Sequence, residues 1–247
     1  MPAKLVFVGH ATVAVDLDGT RFLTDPFLRS GLGPLRRHGA TTPHAALRDL
    51  DAILISHLHR DHADLPSLRR LGDLPMLVPP GAGDFFERRG FRSVSELAPG
   101  HSTQVGAVTV TAVEAVHDGE RRGSRDARSI GFLLSGGQRI YFAGDTDLFD
   151  GMSALRRIDL ALLPIWGWGP NLGPGHMDPE RAARAAALIE PRIVVPIHWG
   201  TLYPRLLHRL RPRPLSDPPL ELARWMAQLA PQVELRVLAV GESTAVE

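Results

Sequence analysis

Cysteine is absent from the 247 residues, which excludes disulfides and every metal site built on thiolate. Redox chemistry therefore says nothing about compartment, because a chain without thiols folds in either environment. Long apolar runs are missing too: none approaches the roughly 18 residues that a membrane span needs. The opening Leu5-Val6-Phe7-Val8 is too short for a secretory leader core and has no cleavage pattern after it, so a cytoplasmic protein is expected. Neither sign of charge is in excess. Lys and Arg number 28 against 27 Asp and Glu, a formal net charge of +1, which gives no electrostatic footprint for duplex nucleic acid. What remains, 44% hydrophobic and 22% charged, is ordinary for a globular chain with a full core. The length suits one domain over residues 1–247.

Leu5–Val8 and Thr12–Leu17 run apolar or alternate, and Asp18-Gly19 offers a hairpin turn into Arg21–Thr24. Residues 28–48 read as a long Gly-, Pro- and Arg-rich loop, a kind that is usually functional or mobile. Ala52–Ser56, Met76–Val78, Val105–Val116, Ile130–Leu134, Arg139–Phe142, Leu160–Leu163, Ile193–Ile197 and Val233–Val240 read as strands. Asp64–Leu71, Ala82–Arg89, Pro179–Ile189 and Leu220–Ala230 read as helices. Strands first, then mixed strand and helix, repeated in the second half, predict two mixed sheets face to face with helices outside. That is a four-layer αββα sandwich of the α/β class.

Ser56-His57-Leu58-His59-Arg60-Asp61-His62 places three imidazoles and a carboxylate in seven residues. On an extended strand end His57 and His59, two apart, point the same way, and Asp61 and His62 can turn back toward the same point. Neutral imidazoles with a carboxylate are a ligand set for zinc or a similar divalent cation. An exposed, merely His-rich turn is the bland alternative. Yet the chain has only 11 His, and further candidates follow other strands: His117, Asp145 and His198 each end one, and His176 sits in Gly175-His176-Met177-Asp178 before a helix.

With His-x-His-x-Asp-His followed by His, Asp and His in order, the chain resembles the metallo-β-lactamase-fold hydrolases over nearly its whole length. The resemblance implies that His57, His59 and His117 hold one metal, that Asp61, His62 and His198 hold a second, and that Asp145 bridges them. It also implies two divalent ions, zinc first and manganese second, and an enzyme whose metal-bridging hydroxide attacks a carbonyl carbon or a phosphorus. Without cysteine the lactamases with a Cys ligand are excluded. His59 stands where the flavodiiron branch has Glu, and too few residues separate Asp145 from His198 for the cap domain of the nuclease branches. Gly9-His10-Ala11-Thr12, Thr24-Asp25-Pro26, Ala143-Gly144-Asp145-Thr146 and Gly175-His176-Met177-Asp178-Pro179-Glu180 resemble the branch of L-ascorbate-6-phosphate lactonase and N-acyl-phosphatidylethanolamine phospholipase D.

The expected substrate is a small ester, lactone or phosphodiester. The alternatives are a phosphodiesterase or nuclease acting on RNA or DNA, and a non-catalytic binding protein on the same scaffold. Asp61 would also orient the nucleophile, and His176 would protonate the leaving group, stabilise the oxyanion or merely cap the following helix. His10 would support the ligands from behind or serve as a buried structural residue. Trp166 and Trp168 would wall an apolar pocket or pack their loop. Arg122 and Arg125, within the run Arg121 to Arg128, would attract an anionic substrate or be plain solvated charges; Arg29, Arg36 and Arg37 carry the same two readings. His38, His44, His101 and His208 read as solvated positions. No nucleic-acid partner is expected, and a homo-oligomer is compatible with everything above.

Overall fold

The computed structural model describes residues 2–40, 43–119, 121, 127–169 and 172–247. The first half runs β1 (Ala3–Gly9), β2 (Thr12–Leu17), β3 (Thr20–Thr24), β4 (Gly31–Leu32), β5 (Leu35–Arg37), β6 (Ala52–Leu54), α1 (Leu65–Leu71), β7 (Met76–Val78), α2 (Gly83–Glu87) and β8 (Val94–Glu96). The second runs β9 (Ser102–Val105), β10 (Val108–Glu114), β11 (Ile130–Ser135), β12 (Arg139–Phe142), β13 (Leu160–Pro164), α3 (Pro179–Ile189), β14 (Ile193–Ile197), β15 (Leu202–Pro204), α4 (Asp217–Leu229), β16 (Glu234–Leu235) and β17 (Ser243–Val246). One sheet has the order β17-β1-β2-β3-β6-β7-β8 and the other β16-β14-β13-β12-β11-β10-β9. Each sheet is antiparallel over one half and parallel over the other, the change falling at β3 in the first and β12 in the second.

Alternation along the strands builds the layers, because successive side chains leave opposite faces. Leu54 of β6, Ile140 and Phe142 of β12, Leu160 and Leu162 of β13, and Val195 of β14 meet in one core between the sheets. Their neighbours Tyr141, Ala161, Leu163 and Val194 face outward, against Ala182, Ala183 and Ala186 of α3 and Leu222 and Met226 of α4. On the other side Ile53, Met76 and Val78 pack against Leu68 of α1 and Phe85 and Phe86 of α2. The result is the expected αββα sandwich. Each buried large apolar side chain contributes about 1.5–3 kcal/mol, so packing rather than local propensity holds three-residue strands such as β6 and β7. The helices begin where the chain offers an acceptor: Asp64 accepts from the Ser67 amide at 3.1 Å and Asp178 from the Arg181 amide at 2.8 Å. No helix among the described residues is long and apolar enough to cross a membrane.

Three elements differ from the sequence expectation. Of Val105–Val116, residues 108–114 form the single strand β10, while Val105 ends β9 and Gly106, at φ 55°, turns the chain between them. Val233–Val240 contains only the short β16; Gly241 at φ 93° then redirects the chain so that β17 pairs with β1 of the opposite sheet. The long loop of residues 28–48 holds β4 and β5, which form a small third sheet with β15, closed over Phe27, Leu35 and Leu202.

The carboxyl ends of β1, β3, β6, β10, β12 and β14 lie along one edge, and the candidate site residues follow them. Gly144 makes the turn from β12 into Asp145 at φ 62°, and a Cβ there would stand 2.5 Å from Cβ of Ser56. Ser56 is itself tied across the sandwich, its carbonyl accepting from the Ile130 amide at 2.9 Å. Gly144→Ala is therefore expected to cost about 1–3 kcal/mol through the left-handed backbone and to displace the residue before His57. A thermal melt would show the loss as a lowered Tm; a wild-type Tm would mean that this turn is not under constraint.

Candidate metal centre

His57, His59, Asp61, His62, His117, Asp145, His176 and His198 all meet at this edge, with His10 behind them. Ligand-type atoms of His57, His59 and His117 lie within 4.8 Å of one another, and so do those of His10, Asp61, His62 and His198. Asp145 stands between these groups. Its Oδ2 is 3.1 Å from His62 Nε2, 3.2 Å from His198 Nε2, 3.4 Å from His176 Nε2 and 3.9 Å from His57 Nε2.

The contacts behind the rings fix which nitrogen faces inward. His117 Nδ1–H donates to the Gly175 carbonyl at 2.8 Å and His198 Nδ1–H to the Trp166 carbonyl at 2.7 Å, since a carbonyl can only accept. Asp25 accepts from His62 Nδ1–H at 2.7 Å and from the Ser56 hydroxyl at 2.5 Å. With its hydrogen committed to Asp25, the Ser56 oxygen accepts from His57 Nδ1–H at 2.9 Å. Four imidazoles thus turn Nε2 toward the centre, the arrangement in which a carboxylate or carbonyl behind each ring sets its tautomer and raises its basicity. His59 instead presents Nδ1, 3.1 Å from His117 Nε2, and His62 and His198 bring their Nε2 atoms within 2.9 Å. His57 Nε2 and Asp145 Oδ1 are buried without a hydrogen-bond partner among the described residues. Converging lone pairs and orphaned buried acceptors are what a cation satisfies, so the donor set fits divalent metal.

Electrostatics agree. Burial pushes His10 down to about 3 and His117 to about 4, and it lowers His57 and His59 as well. Burial opposes ionisation of Asp61 and Asp145. His62 and a hydrogen bond from His10 nevertheless hold Asp61 well below the usual carboxylate range, as His198 and His62 do for Asp145. For His62, burial is outweighed by Asp145, Asp61 and Asp25, which raise it well above its ordinary value. The protein alone answers its buried anionic charge with a proton on His62.

Asp25 escaped the sequence reading as a site residue. Its sequence signal is the Thr24-Asp25-Pro26 motif after β3, and its partners lie 31 and 37 positions away. His10, at φ 58°, sits 3.0 Å from Asp61 Oδ2 through Nε2. His176 Nδ1–H donates to the Pro174 carbonyl at 3.0 Å, and its side chain keeps 18% exposure.

A cavity of about 410 Å³ opens over this edge, between His59, Asp61, Asp145 and His176 on one side and Leu32, Pro34, Leu35 and Trp168 on the other. Trp168 lines it. Trp166 does not; it acts through its carbonyl, and its indole N–H donates to Gly169 O at 3.2 Å. Arg122 and Arg125 lie outside the described residues. Arg29 is bound to Asp64 and Arg37 to the Phe27 and Val8 carbonyls, so both brace the fold. His38 and His208 are half-buried against each other, ring centroids 5.3 Å apart, rather than solvated; His44 and His101 are exposed.

Comparison with known proteins follows this geometry. The beta-lactamase superfamily domain matches residues 20–199. The chain belongs to that superfamily. It is 31% identical over 254 residues to a metal-dependent hydrolase of Rubrobacter xylanophilus, covering 97% of this chain and 95% of that one. It is 32% identical over 227 residues to N-acyl-phosphatidylethanolamine-hydrolyzing phospholipase D 1 of Caenorhabditis elegans, covering 80% of this chain and 64% of the worm protein. Several relatives are thus longer, and the chain spans under two thirds of their length. Among solved structures, Igni18, a metallo hydrolase of Ignicoccus hospitalis, superposes at a TM-score of 0.75 with 25% identity, covering 100% of this chain and 99% of that one.

The role of Asp25 is testable by Asp25→Asn, which removes no inward-facing donor but leaves one oxygen where two accept. Zinc affinity is expected to fall 10–100-fold while unfolding remains cooperative. Unchanged affinity in a zinc titration would show that the ring orientations are set elsewhere.

Proposed function

We propose that this protein is a metal-dependent hydrolase that holds two divalent cations and cleaves a small ester, lactone or phosphodiester. His57, His59 and His117 would hold one cation, Asp61, His62 and His198 the other, with Asp145 shared. The observation that carries this reading is the inward turn of the Nε2 lone pairs around Asp145, each fixed by a partner behind its ring. Zinc suits the His and Asp donors best and manganese next. When bound, the cations supply Lewis acidity, lowering the pKa of a water toward about 7 and offsetting charge on the substrate oxygen.

The chain's own groups divide the remaining work. Asp61 is held at 3.0 Å by His10, which keeps one carboxylate oxygen oriented beside the attacking water. His176 lines the cavity with Nε2 facing in. It is placed to give a proton to the leaving group. Leu32, Pro34, Leu35 and Trp168 make an apolar wall, fitting the hydrocarbon part of a substrate and excluding water from the scissile bond. The worm relative's name describes cleavage of a phosphodiester, which supports including that bond type. The core shared by both sheets supports reading residues 1–247 as one hydrolase domain, and the same reading keeps it in the cytoplasm on small-molecule substrates.

Paired variants test the division of labour. Asp145→Ala is expected to lose metal and to drop activity by orders of magnitude. His176→Ala is expected to keep its metal and lose roughly 10²–10⁴-fold in kcat, with a smaller loss for a nitrophenol leaving group that needs no proton. Metal content and kcat on good and poor leaving groups read both. Metal loss in His176→Ala would make it a ligand, and full activity in either variant would remove that residue from the chemistry.

A further inference from the structure

The segment between α3 and α4 carries a surface that the hydrolytic reading does not use. From residue 191 to 216 there is no Asp or Glu, while Arg192, Arg205, Arg209, Arg211 and Arg213 fall in the same stretch. Leu206 to Leu210 form a short helical run: residues 207–209 are 3₁₀, Leu206 and Leu210 flank them with right-handed helical angles, and the Leu210 amide donates to the Leu207 carbonyl at 3.0 Å. Residues four apart on a 3₁₀ turn lie about 120° apart, so the two leucines project from neighbouring sides of one short turn. Leu206 is 85% exposed and Leu210 78%. Leu207 and His208 turn inward, where His208 meets His38. Arg205 and Arg209, also four apart, flank the leucines, are exposed, and join no ion pair among the described residues. Scattered single apolar residues on a surface are ordinary. Two nearly bare leucines within five residues, flanked by unpaired arginines in an acid-free stretch, are not.

The surface adjoins the cavity mouth. The Arg205 amide donates to the Pro34 carbonyl at 3.1 Å, and β15 pairs with β5 so that Pro204 lies opposite Leu35. Pro34 and Leu35 are wall residues of the cavity over the metal centre. We infer that Leu206 and Leu210, with Arg205 and Arg209, dock the protein peripherally on an anionic lipid surface. Apolar side chains entering the headgroup boundary, with basic side chains beside them at the charged surface, are the two weak signals that together give reversible binding. An acidic protein would complement the arginines but offers no reason for the bare leucines. A second copy would bury the leucines but face arginine with arginine. Docked this way, the mouth opens close to the interface, within reach of amphiphilic molecules.

The inference does not rest on the hydrolytic reading, and its test is separate from it. The metal-loaded full chain would be sedimented with vesicles of phosphatidylcholine alone or with about 30% phosphatidylserine. Binding to the mixed vesicles is expected, weakened by raised salt and negligible on phosphatidylcholine alone. Leu206→Ser with Leu210→Ser is expected to reduce binding at least about 10-fold. Arg205→Ala with Arg209→Ala is expected to reduce it about 25-fold, since each basic residue near the surface contributes about 5-fold. Circular dichroism and metal content unchanged from wild type would show both variants folded. Absence of wild-type binding at low salt would overturn the inference. So would binding that both pairs of variants retain, or a leucine-dependent dimer with no affinity for vesicles, which would make the patch a contact between copies.

Discussion

Two buried carboxylates ringed by imidazoles are the constraint around which this fold is arranged. Asp61 and Asp145 are almost wholly out of water, where an ionised carboxylate is costly unless positive charge or hydrogen bonds answer it. Hydrogen bonds supply part of the answer. The rest comes from His62 as a proton carrier or, in the loaded protein, from cations among the same nitrogens. Either way the edge is stable only if many donors from distant segments meet with little error. The sandwich provides this by delivering each donor from a strand end already fixed by the common core. Local strain accompanies the arrangement: His10 and His198 both sit at positive φ, and the His198 amide donates to the His10 carbonyl at 2.9 Å, so each holds the other in an unfavourable backbone region.

Behind the inward-facing atoms, Asp25 is the residue on which most depends. It accepts from the Ser56 amide, the Ser56 hydroxyl and His62, and through Ser56 it also decides the tautomer of His57. One carboxylate after β3 therefore orients donors assigned to both groups. The carbonyls of Gly175 and Trp166, both in the connection between β13 and α3, do the same for His117 and His198.

Much of this was legible in the sequence, for a definite reason. Apolar strands with period two end abruptly at His57, His117, Asp145 and His198, so strand ends and donors coincide in the text of the chain. The His-x-His-x-Asp-His spacing adds its own signature. What could not be read depends on contacts between segments far apart. Asp25 looks like any Asp-Pro turn until Ser56 and His62 come beside it. The strands of two and three residues in 31–37 have no periodicity to detect, and their pairing with Leu202–Pro204 is long-range. The turn at Gly106 was passed over because Val105 and Val108 on either side both suit a strand. Arg29 and Arg37 looked available to an anionic substrate, yet packing commits them to Asp64 and to backbone carbonyls.

The central claim is that two cations share Asp145. Its most direct test is elemental analysis of the full chain, stripped with chelator, reloaded with zinc and freed of loose metal by gel filtration. The account predicts about two zinc ions per chain in the wild type. Retention of one ion or none, in protein whose circular dichroism shows it folded, would contradict it.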